Sequence, residues 1–378
     1  MSVDVLVVGL GPAGSRAAAA AANGGCSVLA IDRRARAGVP VQCAEFVPAL
    51  LQQEVPGLAA ACVQPIRRML TAIEGGPFEE TPDFPGRMLD RARFDALLAA
   101  RAASAGASCR FGVATPRITR DGAVSLTDGT PIRPRVLIGA DGPRSRVGAA
   151  IGAVNTALVE ARQIRVPLRR PHDATDIFLS AAYPGGYGWL FPARNEANLG
   201  IGVVPAARPA LKGLLEALHA ALTAAGRIGP EVLGLTGGLI PVGGRIRASG
   251  RLGSVSVLLV GDAAGLAHPV SGAGIAAAVQ SGTLAGEAAA SLLAGQPSAA
   301  ADYEDELASL FDGTFARALS RRHDLLACHT SGRPPDPARQ RAGWIGFASY
   351  WEDGATPAAT TPSIAAPHAA GEKVHELS

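Results

Sequence analysis

The sequence predicts a mixed α/β (α+β) fold, in which a Rossmann-like parallel sheet is interrupted by an inserted antiparallel sheet. The first observation is a complete β-α-β pattern at the N-terminus, with the glycines of Gly9-x-Gly11-x-x-Gly14 in its first turn. The second is the alternation of apolar and polar residues between about 156 and 204, which is typical of antiparallel strands. At 378 residues the chain exceeds one typical compact core, which favours two domains or one domain with a large insertion.

The N-terminal unit predicts a dinucleotide site. Residues 3–8 form an apolar strand, an alanine-rich helix follows the glycine turn, and a second strand ends on Asp32. Gly9 permits the tight turn, Gly11 lets the backbone approach a pyrophosphate, and Gly14 permits close helix packing. The amides at the start of the helix favour phosphate groups. Asp32 lies where an acidic residue binds ribose hydroxyls.

The middle of the chain predicts a helix from Arg91 to about residue 105, then short strands and a buried strand over 136–140. That strand delivers Asp141 into a turn. An Asp-Gly turn can place a carboxylate at the edge of a ligand site, but plain turns use the same pair. Both interpretations stay open from the residues alone.

The later part of the chain is mostly helical. The pattern predicts an amphipathic helix near 208–226, a strand over 255–260 that runs into Gly261 and Asp262, and a long helical region over about 299–330. From about residue 353 the chain has no periodicity and is rich in Pro, Ala and Thr, which predicts a disordered tail.

Aromatic residues concentrate between two predicted strands, at Tyr187, Trp189 and Phe191, in a chain with three Trp and four Tyr. Because successive side chains of a strand alternate between faces, these three rings should lie on one face of a sheet. The spacing alone does not separate a hydrophobic sheet core from a substrate-facing wall.

Composition excludes several function classes. The net charge of +3 is small and dispersed, which argues against nucleic acid and against a polybasic membrane anchor. The five cysteines are scattered and odd in number, so neither a disulfide framework nor a zinc or other metal site is predicted. No apolar run approaches the length of a membrane span. We expect a cytoplasmic protein, with peripheral contact to the inner face of a membrane left open, as is the oligomeric state.

Three ordered motifs extend the dinucleotide prediction. The glycine turn that begins at Gly9, the turn Ala140-Asp141-Gly142 and the late turn Gly261-Asp262-Ala-Ala together resemble the FAD-containing hydroxylases of the p-hydroxybenzoate hydroxylase fold group. The resemblance implies FAD rather than NAD as the fixed cofactor. It also implies that Asp262 lies near the ribityl chain and that the helix beginning around Ile275 points at the flavin ring.

Within that group, Pro184-x-x-Tyr187-x-Trp189-x-Phe191-Pro192 followed by Gly200-x-Gly202 is similar to the signature of the geranylgeranyl reductase family. The segment Gly38-Val-Pro40-Val-Gln-Cys43-Ala44-Glu45 agrees with it, and the similarity runs to about residue 330. The resemblance implies FAD contacts at Gly9, Gly11, Ala13, Gly14, Asp32, Arg33, Cys43, Ala44, Arg91, Thr115, Asp141, Gly261, Asp262, Gly272, Gly274 and Ile275.

The resemblance also implies a domain organisation. The expected Rossmann-like FAD-binding domain is discontinuous and comprises residues 1–70, 87–155 and 246–300. Residues 71–86 and 156–245 are expected to form an inserted antiparallel-sheet substrate domain. A helical C-terminal region follows over 301–352, and the tail occupies 353–378.

Two chemistries follow from these expectations. The first is hydride transfer from reduced FAD to a C=C bond of an isoprenoid or other apolar substrate, with Tyr187, Trp189 and Phe191 lining an apolar channel. The alternative is a monooxygenase that hydroxylates an aromatic ring, of a small molecule or of a tryptophan in a partner protein, through a C4a-hydroperoxide. Cys43, Tyr187, Trp189 and His268 are the candidate catalytic residues. NADH, NADPH or a carrier protein would be the electron donor.

A third interpretation, a flavin-dependent halogenase, arises because Tyr187-x-Trp189-x-Phe191-Pro192 is similar to the Trp-x-Trp-x-Ile-Pro of that family. Halogenases of that type place an essential lysine in the N-terminal half. The first lysine here is Lys212, which argues against this activity. A non-enzymatic flavin-storing protein is supported by no positive feature of the sequence.

Overall fold

Three sheets organise the protein in a computed structural model that describes residues 2–114, 117–126 and 129–352. The strands are β1 Ser2–Val8, β2 Val28–Asp32, β3 Phe46–Pro48, β4 Cys62–Ile66, β5 Arg68–Ile73, β6 Phe78–Thr81, β7 Gly86–Leu89, β8 Ser108–Phe111, β9 Arg117–Ile118, β10 Val124–Ser125, β11 Pro131–Gly139, β12 Leu158–Pro167, β13 Ala174–Leu179, β14 Gly188–Ala193, β15 Glu196–Val203, β16 Gly234–Pro241, β17 Ser249–Leu252 and β18 Val255–Leu259. The α-helices are α1 Pro12–Asn23, α2 Leu51–Glu54, α3 Arg91–Ser104, α4 Arg146–Ala150, α5 Leu211–Ala224, α6 Ile275–Leu293, α7 Ala299–Thr330, α8 Pro337–Ala342 and α9 Ala348–Trp351. Short 3₁₀ turns cover Leu58–Ala61, Pro205–Ala210 and Gly261–Ala264.

The first sheet is the Rossmann-like one, with strand order β17-β18-β11-β1-β2-β8. β1, β2, β8, β11 and β18 run parallel, and the apolar residues of the central strands β1, β2 and β18 are buried. α1 packs on α6 at very short range, because a Cβ atom on Gly282 would lie 2.2 Å from the Ala13 carbonyl oxygen and one on Gly286 would lie 2.5 Å from that of Ala17. The predicted β-α-β opening is therefore confirmed.

The second sheet has the strand order β16-β12-β15-β14-β13-β5-β6 and is antiparallel except for the β5–β13 pair. One face packs on α5 through buried residues such as Ile164, Leu199 and Leu215. The opposite face carries Trp189, Phe191 and the polar side chains described below. The alternation seen in the sequence thus places the predicted aromatics on one face of this sheet.

Helical predictions agree with the structure apart from one boundary. α7 covers residues 299–330 as predicted, and α3 ends one residue before the predicted position. The amphipathic helix predicted from about 208 begins at Leu211, because Pro209 lies in a preceding 3₁₀ turn and lacks an amide hydrogen. No helix among the described residues is both long enough and apolar enough to span a bilayer.

The domain boundary predicted at residue 70 falls inside β5, which runs from Arg68 to Ile73 and pairs with β13 of the second sheet. The division of the chain into domains stays a prediction. α8 and α9 return to the second sheet, where Trp344 is buried and Phe347 packs beside it.

Candidate active site

The glycine turn after β1 is tightly packed on its protein side and open on the other. Gly9 has φ of +103°, and a Cβ atom there would lie 2.2 Å from the Ala140 carbonyl oxygen. A Cβ atom on Gly14 would lie 1.8 Å from the Gly9 carbonyl oxygen. By contrast, a Cβ atom on Gly11 would meet nothing within 4 Å. The backbone of Gly11 is therefore accessible to a ligand at the start of α1, where helix amides favour phosphate.

Asp32 holds this turn in place. One carboxylate oxygen accepts the Leu10 amide at 2.8 Å, and the other accepts the Arg34 amide at 2.7 Å. Each oxygen retains a second lone pair for a ligand hydroxyl. The neighbouring Arg33 side chain is exposed, and Ala13 is buried where α1 begins.

The Asp141 carboxylate is hydrogen-bonded within its own turn. Its carboxylate accepts hydrogen bonds from the Ser145 hydroxyl and from the amides of Arg146 and Val147. Burial raises the pKa of Asp141, against the lowering effect of these donors. The contacts support the turn interpretation, and a contact between Asp141 and a cofactor stays a prediction.

Asp262 has a different environment. It lies in the 3₁₀ turn Gly261–Ala264 and makes no side-chain cap there. Burial raises the pKa of Asp262 to about 6, and the nearby Arg91 acts in the opposite direction. No hydrogen bond to this carboxylate is present within the described residues, yet the side chain remains partly accessible. It therefore lines a cleft as an acceptor without a protein donor.

The far side of this cleft is the turn at Gly272 and Gly274, from which α6 begins at Ile275. A Cβ atom on Gly274 would lie 3.3 Å from one Asp262 carboxylate oxygen. The absence of a side chain at Gly274 keeps the start of α6 close to Asp262.

The Cys43 loop lies between the two large sheets and is held from the second one. Gln163 donates to the Cys43 carbonyl at 3.1 Å, and Asn198 donates to the Ala44 carbonyl at 3.2 Å. Arg165 pairs with Glu45 at 2.8 Å. Glu45 has φ of +72°, so its backbone is in the left-handed region. The loop is thus fixed by buried polar side chains in a strained conformation.

Arg91 ties the same loop to α3. Its guanidinium makes a two-pronged ion pair with Asp95, at 3.0 and 3.1 Å, and interacts electrostatically with the Cys43 side chain. Burial would lower the pKa of Arg91, but Asp95 and Cys43 raise it by more. The cation is therefore retained at a buried position beside Cys43 and within electrostatic range of Asp262.

Trp189 is locked by two contacts. Its indole N–H donates to the Gln163 side-chain oxygen at 3.0 Å. Its ring lies across Gly200, where a Cβ atom would be 2.2 Å from Trp189 Cζ2. The glycine of the predicted Gly200-x-Gly202 pattern is therefore needed to accommodate the indole.

Tyr187 bridges the second sheet to the turn before α6. Its hydroxyl donates to the Ser271 carbonyl at 2.6 Å. Burial raises the pKa of Tyr187 strongly, and electrostatic coupling to Cys43 raises it further. Its ring lies 5.7 Å from that of Trp189 and 4.7 Å from that of Trp344.

These rings belong to a larger apolar cluster, here called the apolar wall, in which residues of the second sheet meet residues of the third sheet, β3-β7-β4, and of the C-terminal segment. Phe46 stacks on Phe84 at 5.5 Å and approaches Phe191 at 5.9 Å. The buried members of the apolar wall are Ile66, Met69, Ile73, Met88, Ile177, Leu179, Trp189, Phe191 and Trp344. The indole N–H of Trp344 is buried and has no hydrogen-bond partner in the described part of the chain.

His268 organises the turn that Tyr187 contacts. Its Nδ1 accepts from the amides of Val270 and Ser271 at 3.3 and 3.2 Å. Burial lowers the pKa of His268 to about 4, so the imidazole is neutral at physiological pH. These contacts support a positioning role, and a catalytic role for His268 stays a prediction.

The structure thus brings together Cys43, Ala44, Arg91, Tyr187, Trp189 and Asp262, whereas Thr115 lies outside the described residues. Gln163, Arg165 and Trp344 are site residues that the sequence analysis missed. For Gln163 the available signal was one polar residue at a buried position of a strand. For Trp344 there was none, because nothing local links the C-terminal segment to β14.

The residues present fit FAD. Gly11 offers free backbone for a pyrophosphate, Asp32 offers acceptors for a ribose, and Asp262 offers a half-buried acceptor that has no donor among the described residues. The last of these is costly to bury unless a ligand hydroxyl bonds to it.

Comparison with known proteins agrees with this geometry. A family model described as the geranylgeranyl reductase catalytic domain matches residues 158–225, which include Gln163, Trp189 and Gly200. Digeranylgeranylglycerophospholipid reductase 2 of Methanopyrus kandleri is 37% identical over 300 residues, covering 72% of this chain and 73% of that protein.

Solved structures extend the likeness. A geranylgeranyl bacteriochlorophyll reductase-like protein from Thermoplasma acidophilum superposes with a TM-score of 0.76 at 25% identity, covering 85% of this chain and 87% of the other. A flavoprotein/dehydrogenase from Cytophaga hutchinsonii shares the fold, with a TM-score of 0.64 at 18% identity over 93% and 94% of the two chains. Because the chain is 37% identical to the Methanopyrus kandleri reductase over 72% of its own length, it belongs to the geranylgeranyl reductase family of FAD-dependent oxidoreductases.

Proposed function

We propose that the protein reduces C=C bonds in the isoprenoid chain of a lipid. The observation that carries this proposal is the apolar wall, which faces the Cys43 loop beside the Asp262 cleft. The only attraction available to a hydrocarbon chain is burial, worth about 25 cal/mol per Å² of apolar surface. The names of the curated relatives, digeranylgeranylglycerophospholipid reductases, support an isoprenoid lipid as substrate.

FAD would be held by the glycine turn, Asp32, Arg91, Asp262 and the start of α6. When bound, it supplies the hydride for the reduction. We include NADH, NADPH or a carrier protein as the source of electrons, and a location at the inner face of a membrane, as parts of the same proposal.

The chain's own residues then have three tasks. The apolar wall binds the substrate and excludes water. Cys43 holds the proton that completes the reduction, at its Sγ atom, because it is a half-buried thiol beside both Arg91 and Tyr187. Tyr187 is a positioning residue, since its hydroxyl proton is already donated to the Ser271 carbonyl.

The test is reoxidation of the chemically reduced protein without oxygen. Geranylgeranyl lipids should reoxidise it, and the mass of the product should rise by pairs of hydrogen atoms. Failure of every prenyl compound to reoxidise the protein anaerobically would exclude the proposal. A requirement for oxygen with an aromatic substrate would instead support the monooxygenase alternative.

Replacement of the thiol tests the role of Cys43. Cys43→Ser should retain FAD but lower turnover by about 10²- to 10⁴-fold, the range typical of general acid catalysis. Cys109→Ser is the matched control, because Cys109 lies on β8, remote from the apolar wall. Equal turnover of the two variants would reduce Cys43 to a packing residue.

A further inference from the structure

A basic groove lies at the end of the second sheet, beyond the apolar wall. Its volume is about 740 Å³, within the size range of small-molecule sites. Four arginines line it: Arg67, Arg169, Arg170 and Arg194. They come from three separate segments, namely the β4–β5 connection, the loop after β12 and the turn between β14 and β15. The fold, rather than one run of sequence, therefore creates this concentration of charge.

The four guanidinium groups are exposed, and none of them forms an ion pair with a carboxylate in the part of the chain that the structure describes. The acidic residue in the groove, Asp173, is already paired with Arg68 at 3.2 Å. Since the whole protein carries a net charge of only +3, the groove is a local concentration of positive charge. Like charges at one concave surface repel unless an anion lies between them.

The groove walls are held by neutral groups. Gln64 donates to the His172 carbonyl at 2.9 Å and accepts the Arg194 amide at 2.5 Å. The Leu168 amide donates to the Asn195 carbonyl at 2.8 Å. These bonds join the three segments to one another without using any of the four arginine side chains. The guanidinium groups remain available for a ligand.

The groove lies at the ends of two strands, β4 and β14, that also carry residues of the apolar wall. Along β4 and the residue after it, Val63 and Ile66 belong to the apolar wall. Gln64, Pro65 and Arg67 line the groove. β14 carries Trp189 and Phe191 on the wall and ends at the turn that contains Arg194. At about 3.3 Å per residue, Arg194 lies roughly 16 Å along the chain from Trp189. Because β4 and β14 carry both wall residues and groove residues, the cluster of cations lies near one edge of the apolar wall.

We propose that this groove binds the phosphate-bearing headgroup of the isoprenoid substrate. The inference rests on the proposed function and adds where the substrate's polar end is held. Arginine suits this role because its planar fork can donate two parallel hydrogen bonds to one phosphate. The same ligand chemistry could come from free phosphate compounds or from the surface of an anionic membrane, and the experiment separates these sources.

The experiment compares two probes that differ only in the anion, geranylgeranyl diphosphate and geranylgeraniol, by intrinsic tryptophan fluorescence of the FAD-loaded protein. The variant is Arg169→Gln with Arg170→Gln, which leaves the backbone contacts of the groove unchanged. The control is Arg110→Gln with Arg120→Gln, two exposed arginines that do not line the groove, the first of which lies on β8 of the first sheet. Both variants lose the same charge.

We expect the groove variant to raise the Kd for the diphosphate on the order of 10- to 100-fold and to leave the Kd for the alcohol within about 2-fold. The control should change neither. Inorganic pyrophosphate should displace geranylgeranyl diphosphate from the wild type but not from the groove variant. Equal losses in groove variant and control, or an unchanged preference for the diphosphate, would overturn the inference.

Vesicles provide the remaining arm. If the groove variant loses binding to phosphatidylglycerol vesicles while it still prefers the diphosphate, the groove contacts the membrane surface and the inference is wrong. The proposed function fails separately, because reduced protein that no prenyl compound reoxidises could still bind the diphosphate through the arginines.

Discussion

The contact between Gly200 and Trp189 allows a quantitative test of how the site is built. A Cβ atom on Gly200 would lie 2.2 Å from Trp189 Cζ2 and 2.4 Å from Cε2, whereas carbon atoms in contact lie about 3.5–4.0 Å apart. In Gly200→Ala the indole must therefore move by more than roughly 1 Å. That movement breaks the 3.0 Å hydrogen bond to Gln163.

The expected cost follows from these two effects. Overpacking costs about 1–3 kcal/mol, and loss of the hydrogen bond adds about 1 kcal/mol. We therefore expect Gly200→Ala to lower the free energy of unfolding by about 2–4 kcal/mol. Gly213→Ala is the control. A Cβ atom there meets nothing within 4 Å, and the helical position should gain about 0.5–1 kcal/mol.

A double-mutant cycle assigns the cost to the indole. Trp189→Phe removes the outer ring that meets the new methyl group, so in that background Gly200→Ala should cost less than about 1 kcal/mol. Urea unfolding followed by circular dichroism gives the four free energies. Costs that add within about 0.5 kcal/mol would refute the reasoning, because additivity means that the two residues do not interact.

Three further predictions concern the polar groups of the site. In cofactor-free protein, Asp262→Asn should raise the free energy of unfolding at about pH 8 by up to roughly 3 kcal/mol. The gain should vanish below about pH 4, because a carboxyl whose pKa is raised to about 6 destabilises the folded state only when it is ionised. Urea unfolding at several pH values measures the difference between the variant and the wild type. A difference that does not depend on pH would contradict a raised pKa for Asp262. His268→Asn keeps an acceptor for the Ser271 amide and should retain FAD, whereas His268→Leu should lose FAD. NMR titration of the wild type should show an uncharged imidazole at pH 6, because the pKa of His268 is lowered to about 4. As pH drops from about 6.5 towards 4, the wild type should lose stability relative to the Asn variant, because the unfolded imidazole binds a proton that the folded one does not. Tyr187→Phe leaves the Ser271 carbonyl without its donor and should cost about 1–2 kcal/mol by urea unfolding, while an unchanged midpoint would show that the bond contributes nothing.

Local patterns explain why much of the fold was predictable. The turn between β1 and α1 is specified by glycines within six residues, and the face of β14 that carries Trp189 and Phe191 follows from strand alternation. The resemblance joined these local features into one site. The predicted N-terminal unit, the long helix α7 and the single face of the aromatics were confirmed by the structure.

Other parts of the site depend on contacts between distant segments. Gln163 links the Cys43 carbonyl to the Trp189 indole, although neither partner lies near it in sequence. Trp344 reaches Tyr187 only because α8 and α9 fold back over the second sheet. Glu45 adopts a left-handed backbone conformation that its residue type does not predict. Such features follow from tertiary packing and leave no periodic signal.

The residues of the apolar wall are far apart in the sequence, and this affects how the protein folds. Its members extend from Phe46 to Phe347, so the wall closes only after nearly the whole described chain has left the ribosome. The parallel pairing of β1 with β11 adds contacts of long sequence separation. Non-local pairings of this kind slow folding towards the millisecond-to-second range and prolong the exposure of unpaired strand edges. Slow synthesis at low temperature should therefore increase the yield of soluble protein. Fewer partly folded chains, whose apolar wall is still exposed, are then present at one time to aggregate.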